Sequence, residues 1–276
     1  MATAPARHRR PEPPHRTGGD RVRTVVRGFG EVLLTLGLVA LLFLGYELYI
    51  TNWFSAMKQR DATAALDDRW SNPRGTVDRP VEGDGIAKLR VPAFGPDFDF
   101  TVLQGTGADT LASGPGHYVD TAMPGEPGNF GVAGHRVGDG APFNDLDLLQ
   151  SCDAVVVETR DTWFVYRVLP LADEAAGWTS GKGATPQCRG VTPLPEPYPE
   201  VPGQQIVMPW QGEVINPVPG GSEAQLPPEQ QDSLITLTTC HPRFSAEQRL
   251  IIHGVLTARY PKDGPRPPAL ADGLRG

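Results

Sequence analysis

Cys240 and Arg249 stand nine residues apart in the stretch SLITLTTCHPRFSAEQRLIIHG, residues 233–254. Apolar and β-branched residues alternate from Leu234 to Thr239 and again from Leu250 to Ile252, and the turn-rich HPRFSAEQ separates the two runs. That pattern predicts two strands joined by a loop. Side chains alternate with period two, so Ile235, Leu237 and Thr239 share one face while Thr236, Thr238 and Cys240 share the other. On the second strand Leu250 and Ile252 suit the core, which sends Arg249 and His253 to the opposite, wet face. A thiol and a guanidinium are thereby brought to one surface. A thiolate is a strong nucleophile, and a neighbouring guanidinium and imidazolium favour it over the thiol.

Six histidines are available to complete such a site. His8 and His15 fall in an N-terminal tail, away from the folded body. His135 ends the run NFGVAGH and is followed by Arg136 and the turn residues Gly138, Asp139 and Gly140, so it projects from a strand end and is the candidate acid and base. His117, in the loop SGPGHY, suits a structural hydrogen-bonding role. His241 adjoins Cys240 but diverges from it in direction and shapes the loop. His253 shares the Arg249 face, as a surface residue or a support to the site. Zinc is the competing chemistry for Cys and His, but a structural site wants paired ligands such as C-x₂₋₄-C, which this sequence lacks. No metal or other cofactor is expected. The plain alternative for Cys240 is a buried structural thiol.

These residues need elements to position them. Strand-like runs occur at 85–92, 99–106, 129–137, 154–160, 162–169 and 204–209 besides the two described; within this body helix is confined to GADTLASG and PFNDLDLLQ, and ahead of it TNWFSAMKQRDATAALDDRW has helical spacing that suits a stalk. Eight short strands with 29 prolines and 32 glycines in 276 residues argue for an all-β barrel or sandwich. There is no internal repeat.

The run VLLTLGLVALLFLGYELYI, Val32 to Ile50, has 19 residues. At about 1.5 Å per residue it spans roughly 28 Å, close to a bilayer core. Seven arginines precede it, which predicts a cytoplasmic N-terminus and everything after Ile50 outside the cell. The expected organisation is a disordered basic cytoplasmic tail at 1–31, a transmembrane anchor at 32–50 and an extracellular stalk and linker at 51–84. A catalytic domain follows at 85–260 and a flexible tail at 261–276. The part after residue 50 has 18 basic against 28 acidic side chains. This excludes nucleic acid as a partner, because a phosphate-binding body needs a basic face. Outside the cell extra cysteines pair, so Cys152 and Cys188 are expected to form a disulfide, leaving Cys240 free.

The segments LASGPGHYVDTAMPGEPGNFGVAGHR, PFNDLDLL, VVVETRDTWFVYRV and LTLTTCHPRFSAEQRLIIHG resemble a sortase, and most closely the class E sortases of actinobacteria. The resemblance runs from about Gly85 to Arg259 and includes a T-L-x-T-C form at Thr236 to Cys240. It implies a closed eight-stranded β-barrel, preceded by one N-terminal transmembrane helix, and a membrane-anchored cysteine transpeptidase. In that reading Cys240 is the nucleophile, His135 the acid and base, and Arg249 the oxyanion or peptide clamp. Thr239 and Thr238 contribute to substrate binding, Thr239 at the oxyanion site. The donors would be secreted proteins with an L-A-x-T-G-like C-terminal sorting signal cut between Thr and Gly. The acceptor would be a cell-wall peptide amine.

The chain departs from that pattern in two places. Ser151-Cys152-Asp153 replaces an expected Gly-Asp turn, and residues 171–203 form a longer insertion. The sequence also shows neither the D-P-aromatic lid nor the second apolar run of pilus-building sortases, which favours a housekeeping role over pilin polymerisation. An L,D-transpeptidase would carry a compact S-H-G-C-x-R segment, and an NlpC/P60 peptidase would place Cys before His. The remaining alternative is a non-catalytic β-barrel interaction module.

Overall fold

The computed structural model describes residues 18–46, 51–72, 79–196, 198, 200–221 and 226–274. His8, His15 and most of the basic tail expected at 1–31 lie outside the described residues. So do residues 47–50 of the expected anchor, 73–78 of the expected linker and the last two residues. The chain divides into a unit ending at Glu47 and a unit beginning at Leu48.

The first unit is helix α1, Gly18–Gly45, apolar and long enough to cross a membrane between Val22 and Gly45. It starts earlier than the apolar run alone suggests. The amphipathic turns ahead of Val32 continue the helix, and Arg27 pairs with Glu31 one turn on at 2.8 Å. Among the described residues it is the one helix of this kind. It anchors the chain, with the barrel on the extracellular side as the preceding arginines dictate.

The second unit is a closed barrel. Its strands are β1 (Gly85–Arg90), β2 (Asp99–Gln104), β3 (Gly116–His117), β4 (Gly128–Ala133), β5 (Ala154–Glu158), β6 (Thr162–Val168), β7 (Gln204–Val207), β8 (Ser233–His241) and β9 (Gln248–Pro261). The wall runs β6-β5-β1-β2-β3-β4-β8-β9 and closes by pairing β9 with β6. Eight strands make the wall, as expected, but the membership differs. The short β3 takes a place in the wall, and β7 instead flanks the first half of β9 through Gln204 to Val207. Two pairings, β2 with β3 and β4 with β8, are parallel, so the barrel is mixed.

Period-two alternation fills the interior with Val155 and Val157, Ile235 and Leu237, and Leu250 and Ile252, packed with Phe130, Phe143 and Tyr166. Ala154 and Val156 point the other way and are buried too, with Trp163, Val165 and Ala269 of the turn Pro268–Leu274. Cys152 and Cys188 are bridged, with Cα atoms 5.0 Å apart and a sequence separation of 36. Around them Trp178 and Val191 form a small core of the 171–203 insertion, where Trp178 Nε1 donates to the Val191 carbonyl at 2.8 Å. Alkylation of the denatured, unreduced protein should therefore modify one cysteine, Cys240, by mass spectrometry.

Helix α2 (Thr51–Ser71) lies against β1 and β2. It buries Leu66, but most of its grip is polar. Because β3 is two residues long, β2 lacks a strand neighbour at Thr101 on the side away from β1, and Gln59 fills the gap. The Thr101 N–H donates to Gln59 Oε1 at 2.9 Å, and Gln59 Nε2 donates to the Thr101 carbonyl at 3.1 Å and to Ser113 O at 2.7 Å. Thr63 and Thr101 hydroxyls meet at 2.7 Å, and Ser55 Oγ donates to Ala112 O at 2.8 Å. Gln59→Ala leaves a buried peptide unit unpaired and should lower stability by about 2 kcal/mol, read in a urea melt of the detergent-solubilised chain.

Candidate active site

Three neighbouring wall strands bring the sequence-selected residues to one end of the barrel. Parallel β4 and β8 pair Ala133 with Thr238, and the Gly134 N–H donates to the Thr238 carbonyl at 3.0 Å. Two residues beyond that pair the strands carry His135 and Cys240. Antiparallel β8 and β9 set Cys240 directly opposite Arg249. All three side chains are half-buried, and Cys240 is the free cysteine.

Each is braced by its surroundings. Arg249 Nη1 donates to the carbonyls of Ala246 and Gln248, both at 3.0 Å, so the β8–β9 loop fixes the guanidinium stem. His135 Nε2 lies 3.6 Å from the Asp139 carboxylate. Thr239 Oγ1 donates to the Gly134 carbonyl at 2.8 Å, tying the cysteine strand to the histidine strand. Thr238 Oγ1 meets the Tyr118 hydroxyl at 2.9 Å. Both threonine hydroxyls are thus engaged by the protein itself.

The sequence reading passed over Arg136 as a functional residue. Its side chain is 4% exposed, pairs with Asp147 at 3.1 Å and donates to the Cys240 carbonyl at 3.4 Å and to His241 Nδ1 at 2.7 Å. It clamps the His135 strand to the backbone at Cys240, and the signal was present as a charged residue directly after the candidate histidine. His241 shapes the loop through this contact.

Two other histidines serve the fold. His117 in β3 is buried, with Nδ1 on Gln104 Oε1 at 2.9 Å and Nε2 near Thr121 Oγ1 at 3.0 Å, and burial lowers its pKa. His253, expected on a wet face, is fully buried. Strand alternation placed it on the correct side, but that side is closed over: Val214 packs on Ile251 two residues away, and Gln205 Nε2 of the flanking β7 donates to His253 Nε2 at 3.0 Å. Thr236 gives its proton to Asn129 Oδ1 at 2.8 Å, so His253 Nδ1–H donates to Thr236 Oγ1 at 2.9 Å. The ring is neutral, and burial pushes its pKa down to about 3.

That burial predicts an acid sensitivity. Below pH 6.5 the unfolded chain protonates this ring while the folded chain does not until near pH 3, so the contribution to stability is full above 6.5 and is lost as pH falls towards 3. The complete loss is on the order of 5 kcal/mol. Denaturation midpoints between pH 7.5 and 5 should fall less steeply in His253→Gln than in the parent chain.

Among the described residues no group of three or more His, Cys, Asp or Glu side chains is arranged to hold a metal ion. The chain thus joins a helix able to cross a membrane to a closed mixed barrel in which a free thiol, at the end of a wall strand, stands opposite an arginine. Residues 89–257 match the sortase domain, and the chain belongs to the sortase family. It is related to the class E sortases at moderate identity. Sortase SrtE1 of Streptomyces coelicolor is 30% identical over 251 residues, covering 88% of this chain and 60% of that protein. Sortase SrtE2 of the same organism is 29% identical over 268 residues, covering 92% of this chain and 90% of that protein. This chain thus spans less than two thirds of SrtE1 and most of SrtE2. Among solved structures, the SrtF sortase from Corynebacterium diphtheriae superposes with a TM-score of 0.59 at 41% identity, covering 73% of this chain and 98% of that one.

Proposed function

We propose that the protein cleaves an L-A-x-T-G-like sorting signal between Thr and Gly and transfers the shortened protein to a cell-wall peptide amine. The observation that carries this reading is the strand register that sets Cys240 opposite Arg249 and beside the strand of His135. The relation to class E sortases supports the choice of signal. In the first half-reaction Cys240 Sγ attacks the threonine carbonyl carbon, the C–N bond to glycine breaks, and His135 delivers a proton to the departing amine. In the second, the acceptor amine attacks the thioester and passes its proton to His135, and the thiolate leaves with the C–S electron pair. Arg249 holds the developing oxyanion or the peptide backbone with a charge that does not titrate near neutrality. The partners are secreted proteins bearing the signal and a peptidoglycan-precursor amine, and no cofactor takes part.

A labelled peptide panel with a diaminopimelate-type amine tests this. Cys240→Ala should abolish cleavage and transfer together. His135→Ala should reduce both by about 10²–10⁴-fold, the range of general acid–base catalysis. Arg249→Lys should lose about 10²-fold, because an ammonium lacks the planar fork. Wild-type rates in Arg249→Ala would remove Arg249 from the mechanism, and retained turnover in Cys240→Ala would end the proposal.

A further inference from the structure

The loop after His135 is conformationally demanding. Gly138, Asp139, Gly140 and Ala141 have φ of 70°, 47°, 76° and 38°, a run of left-handed residues in which two carry a Cβ. Each non-glycine residue there is strained by about 1–2 kcal/mol, so the conformation persists only where its surroundings over-determine it. Some restraint is local: the Ala141 N–H donates to Gly138 O at 2.7 Å and the Phe143 N–H to His135 O at 3.0 Å. The rest comes from outside the barrel wall. In α2, Asn52 Oδ1 accepts the Gly140 N–H at 2.9 Å, and Ser55 Cβ lies 3.4 Å from where a side chain on Gly140 would begin.

What the run holds in place is the Asp139 carboxylate, 3.6 Å from His135 Nε2. Asn52 therefore reaches His135 through two steps, a hydrogen bond to the loop backbone and a carboxylate on the neighbouring residue. The short β3 explains why a helix performs this task. Past Gly116 and His117 the wall between β2 and the end of β4 has no strand, and the polar face of α2 occupies that opening, with Gln59 on Thr101, Ser55 on Ala112 and Asn52 on Gly140.

We infer that Asn52 is a positioning residue for catalysis: by pinning the left-handed turn at Gly140 it sets Asp139 against His135, so the first turn of α2 belongs to the working active site. The inference rests on the reading of His135 as the acid and base. It assigns Asn52 an effect on turnover and none on capture of the donor, since its bond to Gly140 leads to Asp139 and His135.

The test uses the full chain in detergent micelles, with rates counted per folded molecule, the folded fraction being read from near-UV circular dichroism, so that any loss of folded protein lowers the count and not the rate. Asn52→Ala should lower kcat on the order of tenfold, the scale of effect expected when a catalytic group is displaced by a fraction of an ångström, with KM for the sorting peptide unchanged. Asn52→Asp keeps an acceptor oxygen at the same reach and should restore most of the rate. Wild-type kcat in Asn52→Ala, or an Asn52→Asp enzyme as slow as Asn52→Ala, would overturn the inference. The iodoacetamide reaction rate of Cys240, measured in parallel, separates the two readings. A parent chain that alkylates readily but leaves the peptide uncut defeats the substrate assignment alone. Asn52 is then judged by the alkylation rate, which should drop in Asn52→Ala and recover in Asn52→Asp, and an unchanged rate would sink its role.

Discussion

The parallel pairing of β4 with β8 is the contact on which the active end of the barrel depends. Parallel neighbours cannot be joined by a tight hairpin, so no turn sets their register. The chain between them, residues 134–232, travels through β5, β6 and β7 before returning. A slip of one residue would carry Cys240 to the other face of the sheet. Side chains supply the missing registration. Thr236 bonds to Asn129, Thr239 bonds to the Gly134 carbonyl, and Arg136 reaches across to the Cys240 carbonyl and His241. Deeper in the wall, Asn129 and Thr236 continue into His253 and Gln205, so one line of hydrogen bonds crosses β4, β8, β9 and β7.

The histidines illustrate how environment assigns work to one residue type. His253 and His117 sit buried where every ring nitrogen meets a polar partner; burial lowers the pKa of both and makes them useful as rigid cross-links. His135 keeps a third of its side chain exposed and lies near the Asp139 carboxylate, open to what enters from outside. His117 lies on β3 beside β4, whose end leads to His135, and His253 lies on β9, two places further round the same wall.

Much of this was legible in the residues. Alternation through Leu234–Thr239 and Leu250–Ile252 gave the correct faces, and hence Cys240 opposite Arg249. The same alternation misjudged His253, because a period of two reports which side a residue occupies and not whether further side chains close over that side. The strand Gly116–His117 was read as loop, since two residues are too few to carry a pattern. Cys152 adopts φ of 72°, the conformation for which a glycine was expected in that turn, and the Ser-Cys-Asp sequence concealed it. Helix α2 showed helical spacing, yet its docking was invisible: Asn52, Ser55, Gln59 and Thr63 face the barrel, and a polar contact face looks like a solvated one in a hydrophobicity pattern.

The side chain of Gln59 has a larger meaning for how the extracellular part survives on its own. Its amide offers one donor and one acceptor to Thr101, as a peptide group of an adjoining strand would. It therefore acts as a single rung of sheet borrowed from a helix. Without it the β2 margin would present bare N–H and C=O groups, the template on which strands of separate molecules join into aggregates. Shedding of the barrel by a cut ahead of Thr51 keeps that margin sealed, whereas trimming to Gly85 strips the seal and leaves a soluble fragment prone to self-association.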